Sequence, residues 1–398
     1  MQNSSDNSSH ERSTSRLHVL TVTPFYPNDR DEASGCFVAE PLVWLKERDI
    51  QNTVYAAQPV YRGSFSHGNA AVSARWIRYF SLPGGIGLPT AGVFLFARIV
   101  SAVRDLHKEN PIRLIHAHGP LPCGHAAMLL SQELGIPYVV SVHGLDAFST
   151  VQVTGRAGKW CRRIAQRVYG LSKRVICISE RVREQVLEGM GGKARTSVVY
   201  NGVDPELFAP AKEESSECAP MVLSVGNLIS IKGHEVLIRS FASLVGEYPG
   251  LTLEIIGDGP ERGYLDSLAK ELNVREGVRF LGRQSRQQVA EKMRRCTVFA
   301  LPSSYEGLGC VYLEAMCAAK PVIGCRGQGI AEIIRQGSNG FLVGPGNEKE
   351  LSLVLDMLLR DEQKRQNLGR AAHDTILAGF TLELQAERLA RVYKESVA

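Results

Sequence analysis

Two glutamates, Glu306 and Glu314, stand with seven residues between them in the stretch FALPSSYEGLGCVYLEAMCAAKPVIGC, Phe299 to Cys325. Glu314 falls among Val311, Leu313, Ala315, Met316 and Ala318, so its carboxylate is directed at an apolar interior. An ionised carboxylate there is costly unless it is hydrogen-bonded, and ligand hydroxyls would serve as partners. Gly307 and Gly309 precede the helical segment from Cys310 to Ala319 and let its unpaired N–H groups approach a ligand, where they and the helix dipole favour an anion such as a phosphate. Carboxylates for hydroxyls beside amides for a phosphate are what a nucleotide-sugar site needs.

The elements that must position these residues read as alternating strands and helices. Leu17 to Thr23 is a short apolar strand, followed by a long loop containing Gly35 and a helix from Pro41 to Arg48. Leu114 to Ala117 is a strand ending in His116 and His118, and Tyr138 to Val142 is a strand ending in His143, Gly144, Leu145 and Asp146. Ligands in open α/β sheets gather beyond the carboxyl ends of strands, so His143, and after it His118, are the histidines best placed for function. His116 and His125 are expected to be structural. Met221 to Val225 leads into Gly226 and Asn227, with Lys232 and Gly233 before a helix from His234 to Val245. Asp29 and Asp31 form a DxD pair in a polar loop, which reads as a solvated surface rather than a metal site.

Several of these segments together resemble the retaining glycosyltransferases of family 4. EGLGCVYLEAM resembles that family's E-x7-E motif, HGLD its HGxD segment, VYNGVDPELF its PNGVD segment and SVGNLISIKG its GR-x4-K stretch. The resemblance implies a GT-B fold, with two Rossmann-like doubly wound α/β domains facing each other across a cleft. It implies that Glu306 contacts donor-sugar hydroxyls, that the amides of Leu308, Gly309 and Cys310 contact the diphosphate, and that Glu314 binds the ribose. It also implies that His143 lies by the donor sugar, Asp146 near the reaction centre and Arg283 near the nucleobase, with Gly35 on a loop closing over a substrate. Lys232 is in place to neutralise the diphosphate, but Asn227 stands where the family has an arginine and brings no charge. RGQGIAEII departs as well, because Gln328 separates Gly327 from Gly329 and Ala331 replaces a proline, while Glu332 is retained.

At 398 residues the chain exceeds what one hydrophobic core usually supports. The expected order is a disordered tail over 1–15, a first domain over 16–205, a linker over 206–220 and a nucleotide-sugar-binding domain over 221–380. The family pattern adds a last helix, 381–396, that packs back on the first domain. The composition, 44% hydrophobic and 22% charged, is that of a soluble globular protein. No apolar run reaches the length of a membrane span and no signal peptide opens the chain, so a cytoplasmic protein is expected. Nine cysteines without CxxC spacing fit reduced, buried thiols better than disulfides or zinc.

The expected activity is transfer of a sugar from a nucleotide diphosphate sugar to a glycan or lipid-linked acceptor, with retention and with neither metal nor other cofactor. A nucleotide-sugar hydrolase or epimerase of the same fold, or a non-catalytic nucleotide-sugar-binding subunit, stays open. Charge suggests one more partner. The first 210 residues carry 23 Lys+Arg against 17 Asp+Glu, and the remainder 23 against 24. Between Gly155 and Arg183 nine basic residues face one acid, with Trp160, Ile164, Val168 and Leu171 at helical spacing, so an anionic membrane surface on the cytoplasmic side is a candidate partner. No nucleic acid is expected.

Overall fold

The computed structural model describes residues 16–29, 31–63, 70–83, 85–148, 153–211 and 219–398. The expected tail over 1–15 and the middle of the expected linker, 212–218, lie outside the described residues.

In the amino-terminal half the chain runs β1 (Leu17–Thr23), α1 (Cys36–Lys46), β2 (Ile50–Pro59), β3 (Ala74–Tyr79), α2 (Leu88–Glu109), β4 (Leu114–His118), α3 (His125–Leu134), β5 (Tyr138–Val142), α4 (Gly155–Leu171), β6 (Arg174–Cys177), α5 (Glu180–Gly189) and β7 (Thr196–Val198). The second half continues β8 (Met221–Val225), α6 (His234–Ala242), β9 (Thr252–Ile256), α7 (Arg262–Glu271), β10 (Val278–Gly282), α8 (Arg286–Arg295), β11 (Val298–Ala300), α9 (Cys310–Cys317), β12 (Val322–Cys325), β13 (Phe341–Val343), α10 (Glu348–Arg360), α11 (Glu362–Gly379) and α12 (Leu382–Val397).

These strands form two parallel sheets, ordered β3-β2-β1-β4-β5-β6-β7 and β10-β9-β8-β11-β12-β13. Helices cover both faces of each sheet, which is why the central strands are apolar throughout rather than alternating: every residue of β4 and of β5 is buried. In each sheet the strand order reverses once, between β1 and β4 and between β8 and β11, and at such a point the loops beyond the carboxyl ends part to leave a crevice. This is the GT-B architecture expected from the motifs.

Three local expectations change. α1 begins at Cys36, directly after Gly35, and not at Pro41: Gly35 supplies the turn (φ 74°), and Pro41 lies inside the helix as its sixth residue, where it leaves one i→i−4 hydrogen bond unmade. The apolar stripe of α4 is not one face: Val168 is buried in the core, Ile164 is half-buried, and Trp160 and Leu171 are exposed. The expected linker is also packed where it is described, since Phe208 is fully buried and the Leu207 carbonyl accepts from Arg294 at 2.9 Å.

α12 returns to the amino-terminal half. Thr381 caps it, Val203 donates to the Phe380 carbonyl and accepts from Leu382 N at its entry, and Ala386, Leu389, Ala390 and Tyr393 join a core with Val38, Leu42 and Leu45 of α1. At its far end the Tyr393 hydroxyl lies 2.6 Å from His116 Nδ1, wholly buried. Tyr393→Phe leaves that nitrogen unpaired and is expected to cost about 1–3 kcal/mol in chemical denaturation. Unchanged stability would mean that this contact does not hold the helix.

Candidate functional site

The site is assembled from the loops at the two strand-order reversals. On the second sheet, β8 runs into a short turn, Ser230–Lys232, closed by Gly233, and β11 runs into the loop that carries Glu306. The two loops meet: Lys232 Nζ lies 2.5 Å from Glu306 Oε2, with side chains only 19% and 13% exposed. Glu306 is held from behind, since its N–H donates to Gln328 Oε1 at 3.0 Å and its carbonyl accepts from Gly329 N at 3.0 Å. Gln328, a departure from the family pattern, thus braces the loop. Gly309 (φ 85°) then starts α9 with no side-chain cap; Tyr312 N donates to the Gly309 carbonyl at 3.0 Å, and the amides ahead of it have no acceptor from their own helix. Leu308 is fully buried, and Cys310 Sγ accepts from Asn201 Nδ2 at 3.3 Å, with burial pushing the thiol up to about 12.

Glu314 is interior, 3% exposed, as its neighbours in sequence imply. Its partner in the free protein is a protein group: Arg286, at the start of α8, donates to Glu314 and to both oxygens of Glu40 on α1, the latter at 2.8 and 3.1 Å. The guanidinium also lies 5.0 Å from the Phe208 ring centroid. Arg286 and Glu40 escaped the sequence reading. Glu40 gave the same signal as Glu314, a carboxylate between Phe37, Val38, Ala39 and Leu42; its cation, far away in sequence, gave none. Burial raises the Glu40 carboxyl against the opposing pull of Arg286.

Asn227 is exposed beyond β8 and adds no charge to Lys232. Arg283 pairs with Asp31 across the cleft, and Asp31 also accepts from Ser34 N at 3.1 Å, so the DxD loop makes an interdomain contact and is not a free solvated surface. Gly35 sits at the head of α1, where a Cβ would come within 2.4 Å of the Phe25 carbonyl carbon, so only glycine fits that turn. A separate open groove of about 1130 Å³, between the amino-terminal halves of β2 and β3 and the end of α2, shares none of these residues.

From the first sheet, β5 delivers His143. Its ring packs against Phe25 and Phe37, at 5.7 and 4.7 Å, and stacks on His118 at 5.2 Å, with His118 Nδ1 and His143 Nε2 3.0 Å apart. Next in the row, His116 binds Ser141 Oγ (2.7 Å) and Tyr393. Burial lowers His116 and His143 to about 3 and His118 well below its usual range, so all three are neutral at pH 7. Asp146 Oδ1 accepts from His143 N at 2.9 Å, and burial raises its carboxyl to about 6. His143 Nδ1 and Asp146 Oδ2 are buried polar atoms without a partner among the described residues.

The halves touch at Gly307, where a Cβ would lie 2.6 Å from the His143 carbonyl oxygen and whose own carbonyl accepts from Ser179 Oγ at 2.6 Å. Alongside, Glu332 accepts from the N–H groups of Glu180 and Arg181 at the start of α5 and from the Tyr200 hydroxyl, each at 2.8 Å. His143 and Asp146 therefore stand opposite the loop that presents Glu306.

These ionisations set a pH dependence. The folded histidines have depressed pKa values, so the stability they contribute is present above about 6.5 and is lost as pH falls toward about 3. Asp146 acts in the opposite sense: its contribution is present below 3.8 and lost as pH rises through about 6. His143→Gln should flatten the fall of Tm below pH 6.5, and Asp146→Asn should raise Tm more at pH 8 than at pH 4. Equal gains at both pH values would refute the raised Asp146 pKa.

The profile of glycosyl transferases group 1 matches residues 207–375, and that of glycosyltransferase family 4 matches residues 38–207. The chain is 27% identical over 306 residues to the N-acetyl-alpha-D-glucosaminyl L-malate synthase of Bacillus anthracis, covering 74% of this chain and 78% of that protein. It is 28% identical over 337 residues to the D-inositol 3-phosphate glycosyltransferase of Corynebacterium aurimucosum, covering 80% and 78%. Its fold superposes on sucrose-phosphate synthase from Thermosynechococcus elongatus with a TM-score of 0.78, at 20% identity over 95% of this chain and 98% of the other. It superposes on Anabaena HepE in complex with UDP and glucose with a TM-score of 0.75, at 21% identity over 95% and 99%. With the two profiles meeting at residue 207 and the paired sheets of a GT-B protein around the Glu306 loop, the chain belongs to the group 1 glycosyltransferases, with a family 4 first domain.

Proposed function

We propose that the chain is a retaining, metal-independent glycosyltransferase that takes its sugar from a nucleotide diphosphate sugar and delivers it to a glycan or lipid-linked acceptor. The observation that carries this reading is the meeting of Lys232 and Glu306 at the uncapped start of α9, opposite His143 and Asp146. In the free protein the ammonium and the carboxylate neutralise each other. A donor gives each a better partner, phosphate oxygens for Lys232 and sugar hydroxyls for Glu306.

As the bond from the anomeric carbon to the diphosphate breaks, negative charge grows on the departing oxygen. Lys232 and the amides of Leu308, Gly309 and Cys310 stabilise it, which is the work a divalent ion does elsewhere. The acceptor hydroxyl attacks from the face the diphosphate leaves, and its proton passes to the departing phosphate oxygen, so no enzymic nucleophile is assigned. His143, neutral and with Nδ1 unpaired, offers a hydrogen bond to a sugar hydroxyl. Asn227 contributes hydrogen bonds without charge, which leaves Lys232 the principal cation for the diphosphate. Arg283 serves the nucleobase side and Glu314, with Arg286, the ribose side. Gly35 lets the α1 loop close.

A thermal-shift screen of UDP-, GDP- and ADP-sugars comes first, because a true donor stabilises the folded state by mass action. UDP-glucose heads the screen, since the structural neighbour HepE is seen with UDP and glucose. With the donor known, Glu306→Gln and Glu314→Gln are expected to fold and to lose about 1.5–3 kcal/mol of transition-state stabilisation, roughly 10- to 150-fold in kcat/KM. Full activity in both would sink the assignment, and donor hydrolysis without an acceptor would make the protein a hydrolase. Activity is also expected to survive EDTA. Complete loss restored by manganese would contradict the metal-independent reading.

A further inference from the structure

The outer face of α4 is a basic stripe. Arg156, Lys159, Arg163 and Arg167, spaced to share one side of the helix, are all exposed, and the helix contains no acidic residue. Among the described residues none of the four forms an ion pair. Trp160, 52% exposed, stands in the same stripe, while Cys161, Ala165 and Val168 turn to the core.

A second exposed group lies beside it. Phe80 and Phe94, from the end of β3 and the first turns of α2, pack edge to face at 5.2 Å, and Leu82 and Ile86 project from the loop between them, Ile86 being 73% exposed. Leu88, at the start of α2, and Ala157 and Ile164 of α4 pack against the same small core of Leu121, Val153 and Cys161, so the apolar group and the basic stripe adjoin. Both arise from segments that leave carboxyl ends of the first sheet, the edge that also carries His118 and His143. Among the described residues no helix is long and apolar enough to cross a membrane.

From this combination we infer that the first domain docks on an anionic lipid bilayer, with Ile86, Phe94 and Trp160 entering the interface and the α4 stripe bound to phosphate headgroups. Each half of the surface needs the other. The basic stripe alone would suit any polyanion, but exposed aliphatic and aromatic side chains gain nothing from a nucleic acid backbone. The apolar group alone would suit a second copy of the chain, but an isologous contact there would bring like-charged stripes together. Charge complementarity and apolar burial are both met by an acidic bilayer, where basic residues add electrostatic attraction and a tryptophan sits at the headgroup level. The docked domain then holds its cleft at the membrane surface. This goes beyond the sugar-transfer reading and does not depend on it.

The test is flotation of the full chain with phosphatidylglycerol vesicles and with phosphatidylcholine vesicles, at low and high salt. Binding is expected on phosphatidylglycerol at low salt, with release by high salt. Arg163→Glu/Arg167→Glu is expected to weaken partition at least roughly tenfold, since each basic residue near such a surface contributes several-fold. Ile86→Ser/Phe94→Ser, which leaves the charge unchanged, is expected to weaken it as well. Both variants alter exposed side chains, and unchanged melting and donor binding would show that the fold and the cleft are intact. Absence of binding at low salt, equal binding to both lipids, or indifference to both variants would overturn the inference. So would a dimer that Phe94→Ser dissociates, which would assign the surface to a second copy.

Discussion

A single guanidinium, that of Arg286, sits between two carboxylates from opposite halves of the molecule, Glu314 on α9 and Glu40 on α1. Three charges removed from water are costly unless each is paired and hydrogen-bonded, and loss of one partner from such a set costs about 3–5 kcal/mol. The arrangement therefore ties the position of α1, and with it the Gly35 loop, to the helix whose amino terminus faces the cleft. Any motion that parts the domains must hydrate or re-pair these groups. Asp31 with Arg283, and Glu332 with the start of α5, add contacts elsewhere along the same interface, so its alignment does not rest on one contact.

Within that frame the two sides of the cleft differ electrostatically. The second domain presents an ammonium, a carboxylate and open helix amides; the first presents a row of neutral histidines and a carboxyl whose ionisation burial opposes. In the proposed transfer a diphosphate leaving group needs fixed positive charge and donors, and Lys232 and the α9 amides both belong to the second domain. An acceptor hydroxyl is uncharged, and a dry wall with unpaired hydrogen-bonding atoms suits it. Contact between the sides is close because glycine stands at position 307, and Gln328 holds the loop around it.

The charge asymmetry between the halves of the chain acquires a location in the structure. Much of the excess of the first half is spread along the exposed side of α4, next to apolar side chains that none of the described elements covers. The periodicity of α4 in sequence mixes two demands, packing on the sheet through Val168 and exposure through Trp160, because residues three and four apart fall on neighbouring but not identical directions of a helix. Spacing alone cannot separate these directions.

The sequence by itself determined the local elements and the chemistry they carry. β5 and β8 have the bounds that their apolar runs suggest, His118 ends a strand, His143 and Lys232 follow strands, and the glycines before α9 mark the open amides. These are readable because burial on both faces, helix termini and turns each impose a residue type within a few positions. It also indicated that Glu314 is interior and in need of a partner. Which partner it has was decided by tertiary structure: Arg286 is 28 residues away, and the Glu40 that shares this arginine is 246 residues from it. The Tyr393 bond to His116 and the Gln328 brace on Glu306 are of the same kind. A buried polar group requires some partner, and this requirement is local; the identity of the partner depends on how two sheets and a returning helix pack, and no pattern of neighbouring residues records that.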